Sequence, residues 1–139
     1  MNTEESVKVR FGPGETGWGL RLAPDRVRIN NIPYSDRLNI DDLVEVDPDD
    51  VGLLDVKRVL ARSFEKKTAV DYEEPYRENY AKLWGAWHAA GMKCEGILPG
   101  LAVVAHHADQ DPMKAATTAN VKASLHDTQP DLEPIDGDA

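Results

Sequence analysis

Between Val27 and Arg62 the chain repeats one pattern three times: short runs in which apolar and polar residues alternate, separated by turn residues. The runs are Val27-Arg28-Ile29 ahead of Asn30-Asn31-Ile32-Pro33-Tyr34, then Asp41-Asp42-Leu43-Val44-Glu45-Val46, then Leu54-Asp55-Val56-Lys57-Arg58-Val59-Leu60-Ala61-Arg62. Period-two alternation marks strands with one face in a core, and three in succession predict a small antiparallel sheet that curls into a barrel. Upstream, Val7, Val9 and Phe11 alternate with Lys8 and Arg10, Gly12-Pro13-Gly14-Glu15-Thr16-Gly17 breaks the run, and Trp18, Leu20 and Leu22 resume it. Ala23-Pro24-Asp25-Arg26 then turns the chain into Val27. In the longest run the alternation slips, because Val56 and Val59 are three apart; one extra residue there predicts a β-bulge that bends the strand around the barrel. Thr68-Ala69-Val70 reads as a last short strand, so residues 1–70 are expected to form one curled, barrel-like sheet.

After Asp71 the period changes. Glu73-Glu74-Pro75 suits a helix N-terminus, and Tyr76, Tyr80, Leu83, Trp84 and Trp87 recur at helical spacing as far as Gly91, a C-terminal stop. This predicts one amphipathic helix whose aromatic stripe, Tyr80, Leu83, Trp84 and Trp87 included, is buried on a sheet. Lys93-Cys94-Glu95 and Leu101 to His106 read as strands, and Asp111-Pro112 opens a second helix from Met113 to about Leu125. The expected architecture is α+β: a small curled antiparallel sheet or barrel followed by an α-β-α segment over residues 71–126. Residues 127–139 hold five acids, two prolines and no base, which reads as a disordered acidic tail.

Composition narrows the functional classes. The chain has 139 residues and a net charge of −9, spread unevenly: residues 1–70 carry 11 basic and 13 acidic side chains, residues 71–139 carry 5 and 12. Asp41 to Asp55 contains seven acids and no base, whereas Lys57, Arg58, Arg62, Lys66 and Lys67 follow with only Glu65 among them. If Leu43–Asp47 and Leu53–Arg62 pair across Pro48-Asp49-Asp50-Val51-Gly52, these charges become cross-strand neighbours. The longest apolar run, Ile97 to Ala105, is broken by Pro99 and Gly100 and is shorter than a membrane helix requires. The N-terminus has neither the basic nor the apolar region of a signal peptide, and the single cysteine, Cys94, has no partner for an internal disulfide. A cytoplasmic protein is expected.

The run Arg28 to Tyr34, followed by Asp42-Leu43-Val44-Glu45-Val46, resembles the signature of a family of uncharacterised bacterial proteins: a strand ending in Asn-Ile-Pro-aromatic, then Gly-Asp-x-Val. The order of the later elements, a helix ending in Gly91, then Glu95-Gly96, then an apolar strand, is similar to that family over roughly residues 5–120. Asp41 stands where the family usually has glycine, and Ser63-Phe64-Glu65-Lys66-Lys67-Thr68 stands in place of a Gly-His-x-Thr-like turn. The resemblance implies a fold and carries no activity.

Candidate chemistry is sparse. His106-His107-Ala108-Asp109-Gln110-Asp111, with His88, has the side-chain types of a metal site, but adjacent strand residues point to opposite faces, so no metal ligand set is expected. Cys94 lacks a recognisable orienting group for nucleophilic work and reads as packing. Gly12 to Gly17 lacks the Lys-Ser/Thr of a phosphate loop and reads as a turn. Asn31-Ile32-Pro33-Tyr34 reads as a rigid strand exit with Tyr34 over the barrel end. The expectation is therefore a non-enzymatic module without cofactor that binds another protein, as regulators and inhibitors do, through an acidic surface of Glu45, Asp47, Asp49 and Asp50. The alternative is a nucleic-acid-binding barrel using Lys57, Arg58, Arg62, Lys66 and Lys67, and a third class is an enzyme or metal protein centred on His88, His106 and Asp109.

Overall fold

The structure, a computed structural model, describes residues 5–133 and 135. The described residues form two units: residues 5–64 with 132, 133 and 135, and residues 65–131. It is mixed α+β, and each unit is built on its own antiparallel-rich sheet.

The first unit is a six-stranded curled sheet. Its strands are β1 (Glu5–Gly12), β2 (Glu15–Ala23), β3 (Arg26–Ile29), β4 (Leu43–Glu45), β5 (Leu53–Asp55) and β6 (Arg58–Ala61), in the order β5-β1-β2-β3-β4-β6. The two edges, β5 and β6, are separated in sequence only by Val56 and Lys57, so the sheet must curl round to bring its edges together. Here the slipped alternation at Val56 and Val59 has its consequence. Both valines are buried although they are three apart, but the single bulged strand expected there is divided at Val56–Lys57 into β5 and β6, and the extra residue in the pairing is Leu60, between Leu43↔Ala61 and Val44↔Val59. The break also limits the expected pairing across residues 48–52. Only the second half pairs antiparallel with β4, in the register Glu45↔Arg58 and Val44↔Val59. The first half runs parallel to β1, with Val9↔Leu54 and Arg10↔Asp55. Val9, Phe11, Val27, Ile29, Leu38, Val44, Val46, Leu54, Val56 and Val59 fill the interior. Gly17 and Gly19 keep β2 close to that core, since a Cβ at them would lie 2.1 Å from the Phe11 ring and 2.4 Å from Val27.

The second unit runs β7 (Lys66–Tyr72), α1 (Tyr76–Ala89), β8 (Lys93–Leu98), β9 (Leu101–His106), α2 (Pro112–Thr118) and β10 (Ala123–Leu125). The sheet order β10-β7-β9-β8, all antiparallel, makes this βαββαβ unit a ferredoxin-like split βαβ arrangement. Two expectations change. The strand at Thr68–Val70 exists but pairs with Val104–Ala102, so the boundary lies after Phe64 rather than at residue 70. The second helix ends at Thr118, because Asn120 takes a positive φ of 59°, and the residues expected to continue it become β10. The α-β-α segment thus has a four-stranded sheet of its own.

Helix α1 ends as its sequence predicts. Gly91 has φ 83°, Gly91 N donates to His88 O at 3.0 Å and Met92 N to Trp87 O at 2.9 Å, the pair of bonds that defines a Schellman cap. Leu83 and Trp87 are buried, with the Trp87 indole N–H donating to Pro112 O at 3.0 Å. Tyr80 is partly buried and stacks on Tyr72. Trp84 departs from the expected stripe and is 48% exposed. Tyr76, Tyr80, Leu83 and Trp87 follow a spacing of four, three and four that keeps one face, whereas Trp84 lies about 100° around the helix from Leu83. Its ring stacks on His88 instead, 3.9 Å between centroids.

The acidic tail is also corrected in part. Residues 127–133 carry no helix or strand, yet Gln129 mimics a strand partner for Ala69: its Oε1 accepts from Ala69 N at 2.9 Å and its Nε2 donates to Ala69 O at 2.7 Å. Glu133 N donates to Asp36 O at 2.7 Å, and Ile135 packs on the first unit's core. Residues 134 and 136–139 lie outside the described residues.

Trp87→Ala is expected to cost about 3–5 kcal/mol in urea unfolding, the usual cost of emptying a buried indole site. Trp84→Ala should cost less than about 1 kcal/mol, because it removes mainly an exposed stacking contact. Equal losses would mean that both rings belong to the core.

Candidate functional site

The β4–β5 turn is the most organised surface feature among the residues expected to bind a partner. Asp47-Pro48-Asp49-Asp50 has the residue order of a type I turn, with Asp at its first position and Pro at its second. Asp47 Oδ1 accepts from Asp49 N at 2.9 Å, and Asp47 O accepts from Asp50 N at 3.1 Å. A second chain segment supports this turn. Val46 N donates to Asp25 O at 2.9 Å, and Arg21 bridges the two turns: its Nη2 donates to Pro24 O at 2.7 Å, while the guanidinium comes within 3.5 Å of the Asp47, Pro48 and Asp50 carbonyls. Gly52, at φ 78°, then returns the chain to β5. The result is a pre-shaped tip at which Asp49 is exposed, Asp50 is half-buried and Val51 is 89% exposed.

Of the expected partner-binding residues, Glu45 does not join this tip. It lies on β4 and pairs with Arg58, 3.1 Å away, while Asp55 pairs with Arg10 at 3.1 Å. The acids of the run 41–55 are therefore partly consumed by neighbouring strands, as the cross-strand argument requires. Val51 and Arg21 were missed in the sequence. The Asp-Pro start of the turn was legible, but the reach of Arg21 from β2 was not.

The basic strip does not form one surface. Arg62 is inside: its Nη2 lies 2.9 Å from Asp42 Oδ2 and its Nε 3.0 Å from Asp42 Oδ1, with Asp42 wholly buried. Arg62 also donates to Arg37 O and Glu133 O. Asp42 in turn accepts from Asn39 N at 2.8 Å, and the Asn39 side chain holds Phe64 O at 2.9 Å. Arg58 is paired with Glu45 and Lys67 is buried, leaving Lys57 and Lys66 exposed, the latter in the other unit. The Asp at the Gly-Asp-x-Val-like position is thus half of a buried ion pair. Asp41 before it has φ 66°, a conformation that glycine adopts without strain.

The histidines diverge. His106 Nε2 accepts from the Thr68 hydroxyl at 2.7 Å and its Nδ1 donates to His107 O at 2.8 Å. That engages both ring nitrogens, and burial lowers its pKa. His107 bonds Glu65 at 3.0 Å, and this bond holds the Glu65 carboxyl below its usual range. Among the described residues no group of three or more His, Cys, Asp or Glu side chains is placed to hold a metal ion. The Cys94 thiol is buried 3.7 Å from the Tyr80 hydroxyl, and burial pushes its pKa up to about 11, the opposite of an activated nucleophile. Of the turn expected over Gly12 to Gly17, only Pro13 and Gly14 stand between the strands; Glu15, Thr16 and Gly17 already belong to β2, paired with Gly12, Arg10 and Val9. Tyr34, expected over the barrel end, is half-exposed and lines a cleft of about 400 Å³ with Gly12, Pro13, Glu15 and Ser35. The strand exit is fixed by Glu15, whose carboxylate accepts from the backbone N–H groups of Tyr34 and Ser35. No described helix is long and apolar enough to cross a membrane.

The chain is similar in fold to a crystal structure of a hypothetical protein from Neisseria gonorrhoeae, with a TM-score of 0.51, 13% identity, and 95% and 97% of the two chains covered. At that identity the likeness concerns the fold alone. No family model and no curated protein matches the chain.

Arg62→Ala is expected to cost about 3–5 kcal/mol, since it strands the buried Asp42 charge, whereas Lys57→Ala at the exposed bend should stay within about 0.5 kcal/mol; chemical denaturation of both variants checks the pair. Stability should also respond to alkaline pH through Cys94. The unfolded thiol ionises near about 8.5 and the folded one only near 11, so the unfolded state sheds its proton first. The contribution is complete below the unfolded value and is lost as pH rises toward the folded one. The urea midpoint of the wild type should accordingly fall more steeply over this range than that of Cys94→Ala.

Proposed function

We propose that the protein is a non-enzymatic interaction module that engages another protein through the acidic β4–β5 turn, in the manner of a regulator or inhibitor. The observation that carries this reading is Val51, 89% exposed at the tip of a turn whose backbone is already fixed. A pre-shaped loop loses less conformational freedom on binding, so a small contact surface yields more affinity. Val51 supplies an apolar anchor, and Asp47, Asp49 and Asp50 supply charge that selects a partner with an apolar pocket rimmed by Lys or Arg. Asp47 has a further part, because its carboxylate caps Asp49 N and holds the tip in shape.

The charge and shape contributions of Asp47 can be separated. Asp47→Asn keeps an acceptor for Asp49 N and removes only charge, whereas Asp47→Ala also loosens the turn. With a partner captured by a photo-crosslinker at position 51, Asp49→Asn/Asp50→Asn should weaken binding and reduce its salt dependence. Asp47→Ala should weaken it more than Asp47→Asn. A partner bound equally well by wild type, Val51→Ala and the Asp49/Asp50 double variant would overturn the proposal.

A further inference from the structure

The outward face of the β1–β2–β3 sheet carries chemistry that neither the core nor the acidic turn uses. Its inward positions are fixed by Val9, Phe11, Val27 and Ile29, all buried, and by Gly17 and Gly19, which have no room for a Cβ. Alternation therefore turns Lys8 and Arg10 of β1, Thr16, Trp18 and Leu20 of β2, and Arg26 and Arg28 of β3 outward. The register places Lys8 opposite Trp18 and Leu20 opposite Arg28. Arg10 and Arg28 are then the diagonal neighbours of Trp18, within about 7–8 Å of it by backbone spacing.

Trp18 is 48% exposed. Arg10 is paired with Asp55 at 3.1 Å, and Arg26 lies 4.0 Å from Asp25. Lys8 and Arg28 are exposed and make no ion pair among the described residues. None of these outward positions is a carboxylate, in a chain whose net charge is −9. The face thus concentrates cations around one aromatic plane against the trend of the whole composition.

We infer that this face binds single-stranded nucleic acid, with Trp18 stacking on a base while Lys8 and Arg28 hold phosphates on either side of it. The alternation of an aromatic plane with flanking cations matches the alternation of base and phosphate along a single strand. A duplex hides its base faces and offers Trp18 no partner. An acidic peptide would use the cations and leave the ring without a role. This surface is distinct from the expected basic strip, whose Arg62 is committed to Asp42, and it stands independently of the acidic turn.

Fluorescence anisotropy on the full chain with labelled oligo(dT), oligo(rU) and a matched DNA duplex tests the inference. Binding of the single strands is expected at about 10 µM in low salt, as suits a small set of phosphate contacts. Trp18→Ala should weaken it about tenfold, while Trp18→Phe, which keeps a stacking plane, should lose less than about threefold. Lys8→Ala/Arg28→Ala should flatten the log K against log salt slope by about 1.4, at about 0.7 per phosphate for single strands. Asp49→Asn/Asp50→Asn should leave oligonucleotide binding undiminished, so this inference and the protein-partner proposal fail separately. All these positions lie at the surface, and circular dichroism confirms that each variant is folded. The inference is overturned if no single strand binds at about 100 µM protein in low salt, if Trp18→Ala binds as tightly as wild type, or if the duplex competes equally well.

Discussion

A buried ion pair, Asp42 with Arg62, ties the first unit together. Arg62 follows β6, an edge of the curled sheet, and Asp42 precedes β4, so the pair joins the connection between β3 and β4 to the end of the sheet. The remaining donors of Arg62 reach Arg37 O and Glu133 O, which brings the C-terminal return of the chain into the same network. Asn39, also fully buried, links Asp42 to Phe64 at the end of the unit. A buried charge without its partner is costly, and a network in which each member is satisfied specifies one arrangement of its segments. The described residues leave no fully buried side-chain nitrogen or oxygen without a hydrogen bond.

The same economy explains why much of the charge pattern is structural. Glu45 meets Arg58 and Asp55 meets Arg10 because cross-strand register puts them side by side. Surface pairs of this kind contribute little stability, typically about 0–1 kcal/mol, but they withdraw charge from any partner. What remains after this internal pairing is informative: a rigid acidic turn tipped by Val51, and a sheet face on which Lys8 and Arg28 flank Trp18. Both candidate binding surfaces belong to the first unit, and in both the fold holds the side chains on hydrogen-bonded backbone.

The second unit uses its polar chemistry differently. His106 satisfies Thr68 and the His107 carbonyl, Gln129 completes the edge of β7 beside Ala69, and Cys94 packs beneath Tyr80. Each residue type is one that catalysis or metal binding employs elsewhere, but here the partners are those that close a small sheet. Burial displaces the His106 and Cys94 pKa values in the directions that favour their neutral forms.

Sequence periodicity determined most strands of the curled sheet and the cap at Gly91, because these follow from local alternation and backbone preference, but the slip at Val56 marks a break between β5 and β6 rather than a bulge within one strand. It also determined that Leu83 and Trp87 face inward. It did not determine which strands pair. Thr68–Val70 looks the same whether it closes a barrel or lies beside β9, and only the order of the second sheet decides between them. The exposure of Trp84 depended on how wide a stripe the sheet covers, and the ordering of Gln129 depended on an open strand edge that local sequence does not reveal. Charges were legible as runs but not as surfaces, since Arg62 became a buried residue only when folding brought Asp42 to it from twenty positions away. Pairing, burial and charge neutralisation are contacts between distant segments, and tertiary structure alone fixes them.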